Sequence, residues 1–379
     1  MASLHFDRVK QGRAVRLAWG GKERVLPGLR APDEDAAPES ARLSTTSSEK
    51  CPASGHREVS DGLRGAIEHE TSRGVLLRGD NAKVLSALAE THRESVTLAY
   101  LDPPFLTGRV HKAIRKGKTV GERSLDVAFD DRWDDRAAYL EALADRLVPI
   151  RELLAPHGSV VVHVDPKTSH YVKVLCDEIF GDECFASEIV WRYRRWPSKT
   201  PNFQRVHDVL LRYRKDAKAE PRFKTLYEPL APSTLATWGT KKQKAVVGKS
   251  GRRVRSSSSE DESSGVPMGD VWEIGVIAPV ARERTGYPSQ KPEALLERVV
   301  RALSAPGDLV LDPYSGSGTT LAVAARLERR DLGIDASEVA LKTARERLRA
   351  LLPVPAPPES GTTRVEGPRR GAYARAARS

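Results

Sequence analysis

Five short apolar runs in this chain end at an aspartate, and this repeated pattern limits the fold more than any other feature. The runs are VLLRGD (75–80), VTLAYLD (96–102), SVVVHVD (159–165), DLVLD (308–312) and DLGID (331–335). Aspartate is disfavoured inside strands, so each one marks the point where a strand leaves a sheet. Helical patterns separate the runs, which predicts an α/β fold with a parallel sheet. The aspartates would then form an acidic rim at the carboxyl edge, where ligands of such sheets bind.

A glycine-rich turn between the last two runs indicates a nucleoside-containing cofactor. Gly316 and Gly318 allow the backbone to turn sharply and to approach a ligand closely. Thr319 then opens a helix, whose free N–H groups favour an anionic group. Asp335 follows Gly316 by 19 residues, the usual place for an acid that accepts hydrogen bonds from ribose hydroxyls. Leu321 replaces the third glycine of a dinucleotide-binding loop, and no complete P-loop occurs.

The motif Asp-Pro-Pro-Phe, which follows the second run, indicates the kind of group that the site binds. Pro103 and Pro104 end the strand and stiffen the loop, and neither has an N–H group. The Asp102 carboxylate and a proline carbonyl can accept the two hydrogens of an exocyclic amine, and Phe105 offers a face on which a base can stack. These residues predict a site that holds the amino group of a nucleobase.

The Asp-Pro-Pro-Phe motif and the glycine-rich motif both resemble motifs of one enzyme family. Asp-Pro-Pro-Phe (102–105) resembles the catalytic motif of amino-group DNA methyltransferases, and DPYSGSGTT (312–320) resembles their S-adenosylmethionine motif. The motif that resembles the catalytic one precedes the cofactor motif in this chain. This order is that of the β class, which includes methylating subunits of type III restriction-modification systems and many solitary enzymes. Further similar segments are 79–88, 163–191 and 285–303. The resemblance implies a Rossmann-like methyltransferase sheet with a circularly permuted motif order and an inserted target-recognition region.

The resemblance also assigns roles to individual residues. Asp102 and the Pro103 carbonyl would hold the target amine, Pro104 would complete the rigid corner, and Phe105 would stack on the base. Residues expected to bind S-adenosylmethionine are Asp80, Ser289, Gln290, Lys291, Asp312, Tyr314, Gly316, Ser317, Gly318, Thr319 and Asp335. No Cys or His cluster in the sequence has zinc spacing, so no metal is expected.

Charge indicates where DNA binds. The chain has 62 Lys and Arg residues against 51 Asp and Glu, a net charge of +11. Residues 191–255 hold 18 basic and 4 acidic residues, a surplus of 14, with interleaved aromatic side chains. Basic residues follow phosphates and aromatic residues can stack or wedge, so double-stranded DNA is the predicted partner. The residues expected to contact it are Arg192, Arg194, Arg195, Lys199 and Arg205.

Composition and motifs divide the chain into segments. Polar, Pro-rich or Arg-rich ends predict disorder in part of an N-terminal extension and in a basic tail. The expected segments are the extension (1–71), a catalytic half (72–190), a target-recognition region (191–284), a cofactor-binding half (285–350) and the tail (351–379). The polar, Ser-rich stretch 241–265 is expected to be a mobile loop. Few cysteines, no membrane-length apolar run and no secretory signal predict a cytoplasmic protein.

The predicted activity is transfer of a methyl group from S-adenosylmethionine to the exocyclic N6 of an adenine flipped out of DNA. Aspartate at the first motif position favours adenine, since serine is commoner there in cytosine-amine enzymes of the family. The alternatives are methylation of cytosine N4, a catalytically inactive relative that binds DNA, and a nucleotide-dependent oxidoreductase. The absence of any Pro-Cys dipeptide disfavours ring-carbon methylation of cytosine. The resemblance leaves open a restriction endonuclease partner and a homodimer.

Overall fold

A computed structural model of the chain describes residues 66–71, 73–116, 123–199, 201–249 and 251–351. The disorder predicted for the two ends therefore falls almost entirely outside the described residues. The helices are α1 (Asn81–Thr91), α2 (Arg136–Leu153), α3 (Ser169–Phe180), α4 (Pro232–Trp238), α5 (Glu293–Leu303), α6 (Thr319–Arg326) and α7 (Glu338–Arg349). None of these described helices is long and apolar enough to cross a membrane.

The strands follow the same chain order. They are β1 (Ile67–Glu70), β2 (Gly74–Arg78), β3 (Val96–Leu101), β4 (Val110–Lys116), β5 (Arg123–Asp130), β6 (Leu154–Val164), β7 (Phe185–Arg192), β8 (His207–Arg214), β9 (Tyr227–Glu228), β10 (Lys241–Val247), β11 (Arg253–Glu262), β12 (Val266–Pro267), β13 (Val271–Glu273), β14 (Leu309–Asp312) and β15 (Arg330–Asp335). Nine of these described strands form one central sheet in the order β1-β2-β15-β14-β3-β6-β8-β7-β13.

The five runs predicted from the sequence are the adjacent strands at the centre of this sheet. Every neighbouring pair in β2-β15-β14-β3-β6 is parallel. Strand β8 then pairs antiparallel with both β6 and β7, and β13 lies parallel to β7. The α/β prediction is confirmed, and the carboxyl ends of the five runs meet at one edge.

The strand order also shows that strands from the end of the chain lie between strands from its beginning. Strands β14 and β15, which come late in the chain, lie between β2 and β3. Leu311 pairs with Ala99 across β14 and β3, and both strands end within a residue or two of these positions. The Asp-Pro-Pro-Phe motif and the glycine-rich motif are about 200 residues apart in the sequence. They therefore begin at the ends of neighbouring strands.

Helices cover both faces of the sheet, which explains why the central strands are apolar throughout rather than alternating. All six residues of β3 are buried. Ala99 and Leu101 pack in the cluster that includes α1, α2 and α3, whereas Leu98 and Tyr100 pack in the cluster of α5 and α6. This packing holds the carboxyl end of β3 rigidly in place.

The prediction of a loop over 241–265 is wrong. Strands β10 and β11 pair antiparallel in this stretch, with Gln243 opposite Ser258. A two-stranded ribbon is held by backbone pairing and needs no apolar face, so its polar composition concealed it. A second hairpin, β4 and β5, follows Asp-Pro-Pro-Phe and was not predicted from the sequence.

Candidate active site

The carboxyl edge of the central sheet opens into a cavity of about 630 Å³, a size typical of small-ligand sites. The Asp-Pro-Pro-Phe motif and the glycine-rich motif both contribute residues to the wall of this cavity. The predicted site residues that line it are Asp80, Asp102, Pro103, Pro104, Phe105, Ser289, Gln290, Lys291, Asp312, Tyr314, Gly316, Ser317, Thr319 and Asp335. Gly318 is the one predicted cofactor residue that does not line this cavity.

Gly318 shapes the loop instead. It precedes α6 with a φ of +72°, and a Cβ there would lie 2.8 Å from the Cβ of Ala344 in α7. Gly316 has a φ of +49°, and its Cβ would lie 3.2 Å from Cε1 of Tyr287 in the cavity wall. Both positions thus require glycine, one for packing on a helix and one for the shape of the cavity.

Two aspartates, the buried Asp312 and the half-buried Asp335, hold the glycine loop from the strand ends. The Asp335 carboxylate accepts hydrogen bonds from the N–H groups of Gly316 and Ser337, each at 2.8 Å. Burial raises the pKa of Asp335, against the opposing effect of these hydrogen bonds. The Asp312 carboxylate accepts from the Tyr314 N–H at 3.0 Å, and burial raises its pKa to about 7. The wall is therefore acidic and its backbone is fixed.

Lys291 contacts Asp102, the first residue of the Asp-Pro-Pro-Phe motif. Its Nζ atom donates to Oδ2 of Asp102 and lies 5.0 Å from the centre of the Phe105 ring. The other oxygen, Oδ1, is buried and has no hydrogen-bond partner in the described part of the chain. The nearest His163 nitrogen is 3.9 Å from it, beyond hydrogen-bonding distance. One oxygen of the Asp102 carboxylate thus has no partner among the described residues.

A buried polar network lies behind Phe105. The His163 ring centre is 5.6 Å from that of Phe105, and its Nδ1 is 2.8 Å from the Tyr100 hydroxyl. Its Nε2 is 3.5 Å from Asp208, which accepts a hydrogen bond from the Tyr193 hydroxyl at 3.0 Å. Burial lowers the pKa of His163, so the ring packs in its neutral form. These contacts restrict the position of Phe105.

Asp131 holds the loop that follows Phe105, and it was not predicted from the sequence. Its carboxylate is buried and accepts from the N–H groups of Leu106 and Thr107 at 2.9 and 2.8 Å. Nearby in the hairpin, the rings of His111 and Phe129 stack at 4.5 Å and line the cavity. No motif in the sequence marks these residues, because the hairpin reaches the cavity only through the fold.

Asn81 and Arg146 were also missed. The Asn81 side chain donates to the Pro313 carbonyl at 2.8 Å and accepts from Arg146 Nε at 2.7 Å. Asp80, which was expected to bind S-adenosylmethionine, accepts from the Ala82 N–H at 3.0 Å and so caps α1. Asn81 could have been identified from the sequence, because it directly follows Asp80 in a segment that resembles the family. No sequence motif marks Arg146.

One enzyme family matches the part of the chain that builds this sheet and cavity. Its family model, described as DNA methylase and covering N6 and N4 amino-methyltransferases, matches residues 96–346, which is more than half of the chain. The chain belongs to the DNA methylase family. The resemblance inferred from the two sequence motifs is therefore confirmed.

Individual DNA methylases show the same similarity. The chain is 29% identical over 323 residues to the type II methyltransferase M.EcaI of Enterobacter cloacae, covering 71% of this chain and 68% of that protein. It is 28% identical over 267 residues to the type II methyltransferase M.HpaI of Haemophilus parainfluenzae, covering 70% and 72%. It is 27% identical over 277 residues to the DNA adenine methyltransferase YhdJ of Escherichia coli (strain K12), covering 71% and 84%.

The cavity fits S-adenosylmethionine, the cofactor of DNA methylases. Asp102, Asp312 and Asp335 place acidic side chains in its wall, which complements the positive charge of a sulfonium group. A Cβ at Gly316 would crowd Tyr287 in this wall, so glycine keeps that side of the cavity open. The residues present can therefore hold a cationic, nucleoside-containing ligand.

The predicted DNA-binding residues surround the loop between β7 and β8. Arg194, Arg195 and Lys199 are exposed. Arg192 contacts Glu273, and Arg205 contacts the buried Asp165 at the end of β6. The first three side chains therefore stand toward solvent, whereas the other two are engaged in ion pairs within the protein.

Proposed function

We propose that this DNA methylase transfers a methyl group from S-adenosylmethionine to the exocyclic N6 of adenine in double-stranded DNA. The proposal depends on one observation above all: Asp102 and the glycine loop line the same cavity, with Asp102 Oδ1 left without a hydrogen-bond partner among the described residues. Aspartate at the first motif position and the name of the relative YhdJ support adenine as the target base.

The chemical difficulty is that the adenine amine is a poor nucleophile, because its lone pair is delocalised into the ring. Asp102 Oδ1 and the Pro103 carbonyl accept the two amine hydrogens and favour a pyramidal nitrogen. S-adenosylmethionine, when bound, supplies an electrophilic methyl group. As positive charge develops on the nitrogen, its attraction to the Asp102 carboxylate strengthens, which lowers the barrier.

Positioning supplies much of the remaining rate. Phe105 stacks on the base, and the His163 network behind it keeps the ring from turning away. Lys291 holds Oδ2 of Asp102, so that Oδ1 keeps one orientation in the cavity wall. Such fixed groups remove orientational freedom that the reaction would otherwise have to lose.

Base flipping sets the affinity that DNA contacts must supply. Extruding a base costs a few kcal/mol. Stacking on an aromatic ring returns about 1–3 kcal/mol, and a hydrogen bond to a charged group about 1.5–3 kcal/mol. These terms nearly balance, so phosphate contacts by basic residues such as Arg194, Arg195 and Lys199 supply the net affinity.

A labelled-methyl assay tests the proposal. Purified protein is incubated with methyl-tritiated S-adenosylmethionine and unmethylated genomic DNA, which is then digested to nucleosides. We expect the label in N6-methyl-2′-deoxyadenosine, and we expect Asp102→Ala to reduce transfer by about a hundred- to a thousandfold or more. Calorimetry should show that this variant still binds the cofactor. Label in N4-methylcytosine would establish the alternative target, and no label on any DNA would contradict the proposal.

Two of the similar proteins are named type II methyltransferases, which supports a role beside a restriction endonuclease. DNA from cells that express this protein should then resist cleavage by a nuclease of the same specificity, and long-read sequencing would identify the methylated site. The nuclease, a homodimer and a cytoplasmic location stay predictions.

A further inference from the structure

The loop between β7 and β8 exposes two large aromatic side chains. Trp196 is 93% exposed and Phe203 is fully exposed. The loop is closed at its base by a hydrogen bond from the Tyr193 N–H to the Val206 carbonyl at 2.8 Å. Gln204, next to Phe203, donates to the Trp196 carbonyl at 2.7 Å, which joins its two arms. Water is a poor environment for such rings, so their exposure points to a partner that covers them.

This loop lies at the same sheet edge as the active site. Strand β7 runs in the direction of β6, because both pair antiparallel with β8, so the loop leaves the sheet at its carboxyl edge. Arg205 within the loop contacts Asp165, which directly follows β6. Tyr193 at its start reaches Asp208, and Asp208 lies beside His163 under Phe105. The exposed rings are thus carried by a loop whose first residue contacts the polar network beside Phe105, the predicted base-stacking residue.

A groove separates the loop from the segment 274–280. The groove measures about 620 Å³, and the residues that line it are Arg194, Arg195, Trp196, Pro197, Ser198, Gln204 and Val276. Val280, in the same segment, is 92% exposed. The chain then continues to Ser289 and Lys291 in the active-site wall. We call Trp196, Phe203, Val276 and Val280 the apolar patch, and the residues between 280 and 289 connect it to the active-site wall.

The charges around the patch select a polyanion. Arg194, Arg195 and Lys199 are exposed in the loop, and Arg282 and Arg284 are exposed just after the segment 274–280. The intervening acid, Glu283, is half-buried, and its Oε2 accepts a hydrogen bond from the Glu293 N–H at 2.9 Å. Two aromatic rings inside a rim of basic side chains match the stacked bases and flanking phosphates of duplex DNA.

We propose that Trp196 and Phe203 insert into the duplex beside the target adenine and replace the stacking that is lost when the base flips. This inference rests on the proposed function, because a flipped base is what leaves the gap. Inserted aromatic side chains unstack neighbouring base steps and stabilise the opened duplex. The two rings therefore assist base extrusion, whereas the basic residues around them bind phosphates.

A topological assay tests insertion without requiring methyl transfer. Nicked plasmid DNA is closed by ligase in the presence of the protein, and the change in linking number per bound molecule is measured. Wild-type protein should unwind the DNA, and the double variant Trp196→Ala with Phe203→Ala should lose most of this unwinding while it keeps the salt dependence of binding. Unchanged unwinding by the double variant would overturn the proposal.

Phe223→Ala provides the matched control for this assay. Phe223 is 53% exposed, but it lies at the opposite edge of the sheet, since the neighbouring Arg222 N–H donates to the His157 carbonyl near the start of β6. This variant should unwind DNA as the wild type does. Equal losses in the control and in the double variant would show a general effect of removing aromatic rings and would also overturn the proposal.

Kinetics on two duplexes provide the second measurement, once sequencing has identified the methylated site. With a correctly paired target adenine, the double variant should lose roughly ten- to a hundredfold in kcat/KM, as expected when base-aromatic stacking is removed. With a mismatched target, which is already partly unstacked, the loss should shrink to about threefold or less. Equal losses on both duplexes would refute insertion. Absence of methyl transfer by the wild type would instead contradict the proposed function, while the plasmid assay still decides insertion.

Discussion

The ammonium group of Lys291 contacts the Oδ2 atom of Asp102, a residue 189 positions earlier in the chain. Only 9% of the Lys291 side chain and 17% of the Asp102 side chain are exposed. The motif resemblance placed Lys291 among the residues expected to bind S-adenosylmethionine, and the structure adds a contact with the carboxylate of Asp102. The pair links the segment before α5 to the end of β3.

Removing one member of this pair should destabilise the fold. Lys291→Met leaves a nearly buried carboxylate without its counter-ion, so we expect the free energy of unfolding to fall by about 3 kcal/mol. Combining it with Asp102→Asn should recover part of the loss, with a coupling of about 1 kcal/mol or more in urea denaturation. Lys342→Met, which breaks an exposed contact with Glu346, should cost less than about 0.5 kcal/mol. Strict additivity of the two changes at the cavity would contradict the pairing.

The two glycines of the loop should respond differently to alanine. Gly318→Ala forces a left-handed residue and a clash with Ala344, which should cost about 1–3 kcal/mol of stability. Gly316→Ala is also forced into a left-handed conformation, but it displaces Tyr287 in the cavity wall and should in addition weaken cofactor binding. Thermal unfolding and calorimetry with S-adenosylhomocysteine separate the two effects. A larger loss of cofactor affinity in Gly318→Ala than in Gly316→Ala would reverse this assignment.

The buried carboxyl of Asp331 should make stability depend on pH. Burial raises its pKa from the ordinary 3.8 to about 7, so the folded protein keeps this proton over a range in which the unfolded chain has lost it. The contribution is therefore fully present below pH 4 and is lost as the pH rises to about 7, a fall of about 4 kcal/mol. Asp331→Asn should flatten the profile between about pH 4 and pH 7 in urea denaturation.

The exposed Asp134 offers the matched control for this profile. Asp134→Asn should leave the pH dependence of stability as it is in the wild type. A steep fall in stability that persists in Asp331→Asn would show that another group is responsible. The buried Asp312, whose pKa is also raised to about 7, is the next residue to replace, although it lines the cavity and its replacement should also reduce methyl transfer.

Salt dependence should distinguish the predicted DNA-binding residues from one another. Replacing Arg194, Arg195 and Lys199 by glutamine should reduce the slope of log affinity against log salt by roughly one for each phosphate that the variant no longer neutralises. Arg192→Gln should change it less, because this side chain already contacts Glu273. Fluorescence anisotropy with a labelled duplex at several salt concentrations measures the slopes. Equal effects at all four positions would mean that the ion pair does not restrain Arg192.

Residues whose type is set by local chemistry were predictable from the sequence. Aspartates mark the strand ends because the sheet interior rejects them, and Gly316 and Gly318 mark a turn that other residues adopt with strain. The stack of His111 on Phe129 and the contact of Arg146 with Asn81 were not predictable. Their side chains occur widely on hairpins and helices, and only the folded chain brings them to the cavity. The ribbon of β10 and β11 was hidden for a related reason, since its polar composition is equally typical of loops.

The interleaving of β14 and β15 between β2 and β3 has a consequence for biosynthesis. A ribosome releases β2 and β3 long before the strands that must separate them. Until residues 309–335 have emerged, the central sheet lacks two inner strands, and the cavity around Asp102 lacks the glycine loop. We therefore expect an unfinished polypeptide, or a fragment truncated before the last two strands, to transfer no methyl group.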